Sequence, residues 1–92
     1  MYAYLACFDI SDDKIRYRAA QYLSAYGVRV QRSVFEISVE TTNELDTLKQ
    51  QLLELLEPED DMRFYAICLS CRRKSHKHDG ERIANYPSMV II

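Results

Sequence analysis

Asp9 stands at the end of an apolar run, Tyr2 to Phe8, and is followed by Ser11, Asp12 and Asp13. An acid between a strand and a helix is first of all a turn or capping residue. It can also hold a hard cation, because Mg²⁺ keeps most of its waters and needs only one or two carboxylates. One carboxylate per chain is thin equipment, so a metal site here would be completed by the Asp9 of a second copy across a two-fold axis. Such an ion would lower the pKa of a bound water and steady charge at a phosphate, with no nucleophilic side chain required. Ser11 and Ser33 are weaker candidates to orient that water.

Cations are the second chemical resource. The net charge of -2 argues weakly against a polynucleotide partner, yet the charge is segregated along the chain. Residues 36 to 61 hold nine acids against Lys49 alone, leaving the remainder at +6. That remainder clusters as Lys14, Arg16, Arg18, Arg29 and Arg32, then as Arg72, Arg73, Lys74, Lys77 and Arg82. Arg forks grip phosphate bidentately, so these stretches are candidate phosphate contacts, set against the plainer reading of solvated surface charge. Arg16 and Arg18 would lie about 200° apart around a helix and cannot share a face. One would contact phosphate; the other would pair with Asp12, Asp13 or a partner's carboxylate.

A third set is Cys68-x-x-Cys71 with His76 and His78, four residues of the two types that most often ligate zinc. The His-x-His spacing is shorter than that of zinc fingers, and Cys68 falls in an apolar run, so zinc is not expected and Cys68 reads as a buried structural thiol. The basic stretch after it reads as a loop that meets phosphates.

These residues must be carried by a small frame. Ninety-two residues with 48% hydrophobic content, two Gly and two Pro make one domain, 1–92, with one modest core. The first apolar run is too short for a membrane span and lacks a basic start, and three cysteines without framework spacing suit reduced thiols. A cytoplasmic protein without a membrane partner is expected. Tyr2 to Phe8 predicts a strand covered on both faces. Asp12 caps a helix with Ile15, Ala19, Tyr22, Leu23 and Tyr26 inward, ended by Gly27. Val28 to Val39 predicts two strands around a tight connection. Thr41 to Glu44 is a capping box opening a Leu45, Leu48, Leu52, Leu55, Leu56 stripe that stops at Pro58. Arg63 to Leu69 and Ser88 to Ile92 are further strands, the second following a basic loop at about 70–87. The order predicts an α+β, ferredoxin-like βαββαβ sandwich with an antiparallel sheet and an extra C-terminal β-strand.

Two helices cover only one face of such a sheet, while the first and fourth strands offer apolar side chains to both. A C2 homodimer packing sheet on sheet is therefore expected, with Phe35 in the core or the dimer contact and Met89, Val90 and Ile91 as an edge strand given to the partner.

The elements and local residues together resemble the CRISPR-associated Cas-two (Cas2) family, the small subunit of the adaptation complex. The resemblance rests on Phe8-Asp9-Ile10, Asp12-Asp13-Lys14 with Arg16 and Arg18, Gly27 to Glu36, and Asp61 to Tyr65. Arg32 stands where the family commonly has an aromatic residue, and Arg72 to Arg82 does not align. The resemblance implies a homodimer that binds double-stranded DNA and bridges dimers of the Cas-one (Cas1) integrase during spacer acquisition. It further implies Mg²⁺- or Mn²⁺-dependent endonuclease activity on DNA or single-stranded RNA in some members, with Asp9 catalytic and Arg16, Arg18, Arg29 and Phe35 at characteristic positions. Two alternatives stand beside it: a free-standing ribonuclease of the VapD toxin type, and a ferredoxin-like regulatory module that binds a small ligand.

Overall fold

The structure, a computed structural model, describes residues 1–84. The expected extra strand, with Met89, Val90 and Ile91, lies outside the described residues. The order is β1 (Tyr2–Asp9), α1 (Asp13–Ser24), β2 (Gly27–Gln31), β3 (Val34–Val39), α2 (Thr42–Leu55), β4 (Asp61–Ala66) and α3 (Leu69–Lys74). The strands form one antiparallel sheet in the order β2-β3-β1-β4, the ferredoxin-like arrangement that the sequence predicts.

Both long helices begin where the capping signals place them. Asp12 accepts from the backbone N–H groups of Lys14 at 2.9 Å and Ile15 at 3.0 Å. Thr41 Oγ1 accepts from Glu44 N–H at 3.2 Å, while the Glu44 carboxylate reaches back to the N–H of Glu40 at 2.6 Å. The bonds from Lys14, Ile15 and Glu44 satisfy N–H groups that a helix start leaves without partners, and the one from Glu40 fixes the residue before the cap. Ala19, Ala20 and Leu23 of α1 and Leu45, Leu48 and Leu52 of α2 are the buried stripes. They meet Ala6 and Phe8 of β1 and Phe35 and Ile37 of β3, so one face of the sheet carries the main core.

Gly27 opens β2 for a steric reason. A Cβ there would fall on the Glu36 carbonyl oxygen and 2.6 Å from Ile37 Cα, both backbone atoms of the paired strand. Gly27→Ala must push β2 off β3, and a loss of about 2 kcal/mol or more is expected from chemical denaturation. An unchanged denaturation midpoint would refute this reading of the hairpin.

Two elements differ from expectation. β4 begins at Asp61 rather than Arg63, because Asp61 pairs across the sheet with Asp9, and it ends at Ala66, because Cys68 leaves the sheet to cap α3. The expected loop at about 70–87 opens instead with α3, followed by a turn closed by a bridge between His76 and Arg82. The opposite sheet face also has a different first cover. Ala3 is buried there by Ala84, with Ile67 and Ile83 against them, so the chain itself lies over part of that face. Burial under this segment pushes the Glu36 carboxyl above its ordinary value, partly offset by a backbone hydrogen bond from Ala84.

Candidate nuclease site

Alternation along β1 sends Ala6 and Phe8 into the core and leaves Cys7 and Asp9 on the other face. The register of β1 with β4 sets Cys7 opposite Arg63 and Asp9 opposite Asp61. A shallow groove of about 270 Å³ is lined by Cys7, Phe8, Asp9, Asp61, Arg63 and Tyr65. Asp9 is exposed at its end, as a ligand that must meet a hydrated cation requires.

Asp61 is the site residue that sequence reasoning missed. It appears there as the last acid of the negative segment and the first residue of the Asp61 to Tyr65 stretch, with no site role, and nothing local ties it to an acid 52 residues earlier. Arg63 holds it, Nε donating to Asp61 Oδ2 at 2.7 Å, while Nη1 of the same guanidinium donates to the Tyr65 hydroxyl at 3.4 Å. The Tyr65 hydroxyl and then the Asp61 carboxylate push the Arg63 guanidinium above its usual value. Two adjacent carboxylates, one oriented by an arginine, are hard oxygen donors of the kind Mg²⁺ or Mn²⁺ takes. Among the described residues no group of three or more His, Cys, Asp or Glu side chains converges to hold a metal, so one chain provides a pair and no closed cage.

The expected phosphate contacts separate into those the fold leaves outward and those it uses internally. Arg16 is half-buried. It donates to the carbonyl of Ile10 at 2.9 Å and of Ser11 at 3.4 Å and pairs with Asp13, so it clamps the β1–α1 connection behind Asp9. Arg18, on the other side of α1, is exposed. Arg29 is exposed on β2, with its guanidinium 5.4 Å from the Phe35 ring and Nε donating to the Arg32 carbonyl at 3.1 Å. Arg72 is corrected outright: it is 6% exposed, because it is on the inward side of α3, and it cannot offer a fork to phosphate from there. Arg73, Lys74 and Lys77 are exposed, Lys77 in an ion pair with Glu81 at 3.3 Å. Phe35 is core, 1% exposed and stacked on Phe8 with centroids 6.3 Å apart. Ser33 spends its carbonyl on the Phe8 N–H at 3.1 Å, fixing the β2–β3 turn beside β1.

The family model for CRISPR associated protein Cas2 matches residues 1–75. The chain belongs to the CRISPR-associated Cas2 family. This Cas2-family chain is 41% identical over 73 residues to CRISPR-associated endoribonuclease Cas2 1 of Chloroflexus aurantiacus, covering 77% of each. It is 38% identical over 94 residues to CRISPR-associated endoribonuclease Cas2 4 of Rhodospirillum rubrum, covering 99% of this chain and 75% of that one. Among solved structures, a chain of a partial Cas6-RT-Cas1–Cas2 complex superposes with a TM-score of 0.83 at 34% identity, covering 92% of this chain and 99% of the other. Streptococcus pyogenes Cas2 at pH 6.5 superposes with a TM-score of 0.74 at 30% identity, covering 82% and 96%. The family match ends at Ser75, one residue past α3, so it takes in the first four residues of the Arg72 to Arg82 stretch that does not align by motif.

Proposed function

We propose that this Cas2-family protein is a CRISPR adaptation subunit that binds duplex DNA as a homodimer, bridges Cas1 integrase dimers and cleaves phosphodiester bonds at the groove formed by Asp9 and Asp61. The likeness over 92% of the chain to a chain of a Cas6-RT-Cas1–Cas2 complex carries the assembly part of this reading. The paired carboxylates carry the nuclease part, and the relatives named endoribonucleases favour RNA as a second substrate.

Asp9 and Asp61 would hold Mg²⁺ or Mn²⁺, which supplies an activated water and neutralises phosphate charge when bound. The chain's own contribution is positional. Arg63 orients Asp61, Arg16 ties down the turn that follows Asp9, and the sheet fixes the spacing of the two acids. The groove sits on the sheet face that lacks long helices, where Tyr65 remains 49% exposed and Leu5 half-buried. A second copy laid on that face would bring its own Asp9 and Asp61 near the first pair and cover this apolar surface.

Arg18, Arg73 and Lys74 are among the outward cations available for phosphate. Replacing all three by Ala should weaken duplex binding across sequences and reduce the slope of log K against log salt by about 1 for each phosphate no longer neutralised. Unchanged affinity and slope would assign these residues another task. The assembly itself is tested by co-expression with a Cas1-type integrase, followed by size-exclusion chromatography with a short DNA duplex. Co-elution of all three components is expected; a chain that elutes alone at every salt concentration would overturn the bridging role.

A further inference from the structure

Cys68 and Cys71 take no part in the groove, and the structure places both on the surface. The buried thiol that the sequence predicts at Cys68 is therefore corrected. Cys68 is instead the cap of α3, where its sulfur accepts from the Cys71 N–H at 3.3 Å. The spacing of three positions then sets the two sulfurs 3.0 Å apart, with the Ser70 hydroxyl 3.3 Å from Cys68 Sγ. That separation is too long for a bond and needs only about 1 Å of closure to reach one, since an S–S bond is about 2.05 Å.

We infer that Cys68 and Cys71 form a reversible dithiol–disulfide site, oxidised by exchange with a low-molecular-weight disulfide. The geometry assigns the order of attack. Hydrogen bonds from the Ser70 hydroxyl and then from Cys71 bring the Cys68 thiol down to about 6, whereas the hydrogen bond and charge of Cys68 push Cys71 up, with Lys74 opposing weakly. Cys68 is therefore the thiolate that attacks first. It forms a mixed disulfide as the small molecule's S–S bond breaks and one small thiolate leaves. Cys71 then gives its proton to solvent and attacks the Cys68 sulfur, and the second small thiolate departs. Two electrons pass from the protein to the small disulfide, which ends as two thiols. The pair immediately follows Ile67, which packs on Ala3 and Ala84, and begins the helix that carries Arg73 and Lys74. Its redox state thus acts on the cap from which those cations project.

The test uses oxidised glutathione at neutral pH on the full chain, read by intact mass and peptide mapping. Wild type should lose two hydrogens with no adduct, the bond should map to Cys68 and Cys71, and dithiothreitol should reverse it. Cys71→Ser should stop at a glutathione adduct on Cys68. Cys7→Ser, which leaves the pair untouched, should oxidise like wild type. At pH 6, Cys68 should react with iodoacetamide about tenfold faster in the folded chain than in urea, the gain in thiolate outweighing its lower intrinsic nucleophilicity. Three free thiols in wild type after prolonged exposure, an adduct confined to Cys7, or a disulfide that links Cys7 or two chains would each overturn the assignment.

Discussion

Asp9→Asn is expected to reduce metal-dependent cleavage of RNA or DNA by about a hundredfold or more, because it removes one of only two carboxylates in the groove and keeps the shape of the other atoms. Asp61→Asn should cost less, about tenfold, since Asp61 already shares its charge with Arg63. Folding is not the reason for either loss. Like charges directly opposite on paired strands repel, so removing one should leave the melting temperature of the metal-free protein unchanged or slightly higher. Saturating Mg²⁺ or Mn²⁺ should raise the melting temperature of wild type and do so less in Asp9→Asn, because only a bound ion stabilises by mass action. The measurement is cleavage by wild type and both variants, purified identically, beside melts with and without the ion. Equal cleavage by all three would move the activity elsewhere and leave Asp9 as a turn residue.

Phe35→Ala is expected to be the most damaging single change to the fold. The ring is 1% exposed, stacks on Phe8 and lies beneath the Arg29 guanidinium, so truncation opens a cavity where β1, β2 and β3 meet the helices. A loss of about 3–5 kcal/mol is the ordinary consequence, a large part of the total stability of a domain this small. At roughly 4–8 °C per kcal/mol, the melting temperature should fall by more than about 12 °C. Phe35→Leu should retain much of the stability by refilling part of the volume. If Phe35→Ala unfolds within about 1 kcal/mol of wild type in urea, the site collapses freely and Phe35 is not the keystone of this layer.

Local chemistry made much of the frame legible from sequence. Asp12 and Thr41 announce helix starts through donors they must satisfy, and the leucine spacing of α2 leaves one face that can be buried. The different tasks of Arg16 and Arg18 also follow from helical geometry, and the structure pairs Arg16 with Asp13. Asp9 is recognisable because a strand end next to a capping cluster is itself a local pattern.

Tertiary structure decided whatever depends on which strand lies beside which. Asp61 becomes a companion of Asp9 only through the β1–β4 register, a pairing between residues distant along the chain. Arg72 stands in a run of cations that reads as a solvated loop, yet α3 turns it inward and leaves Arg73 and Lys74 outward, since successive positions of a helix point about 100° apart. Cys68 has the apolar neighbours of a core residue and lies on the surface, because the sheet ends at Ala66 and the chain turns to start a helix. Sequence thus determined the four strands and two long helices, whose signals lie within a few residues, while α3, the carboxylate pair, the inward arginine and the facing thiols were decided by long-range pairing and by where the sheet stops.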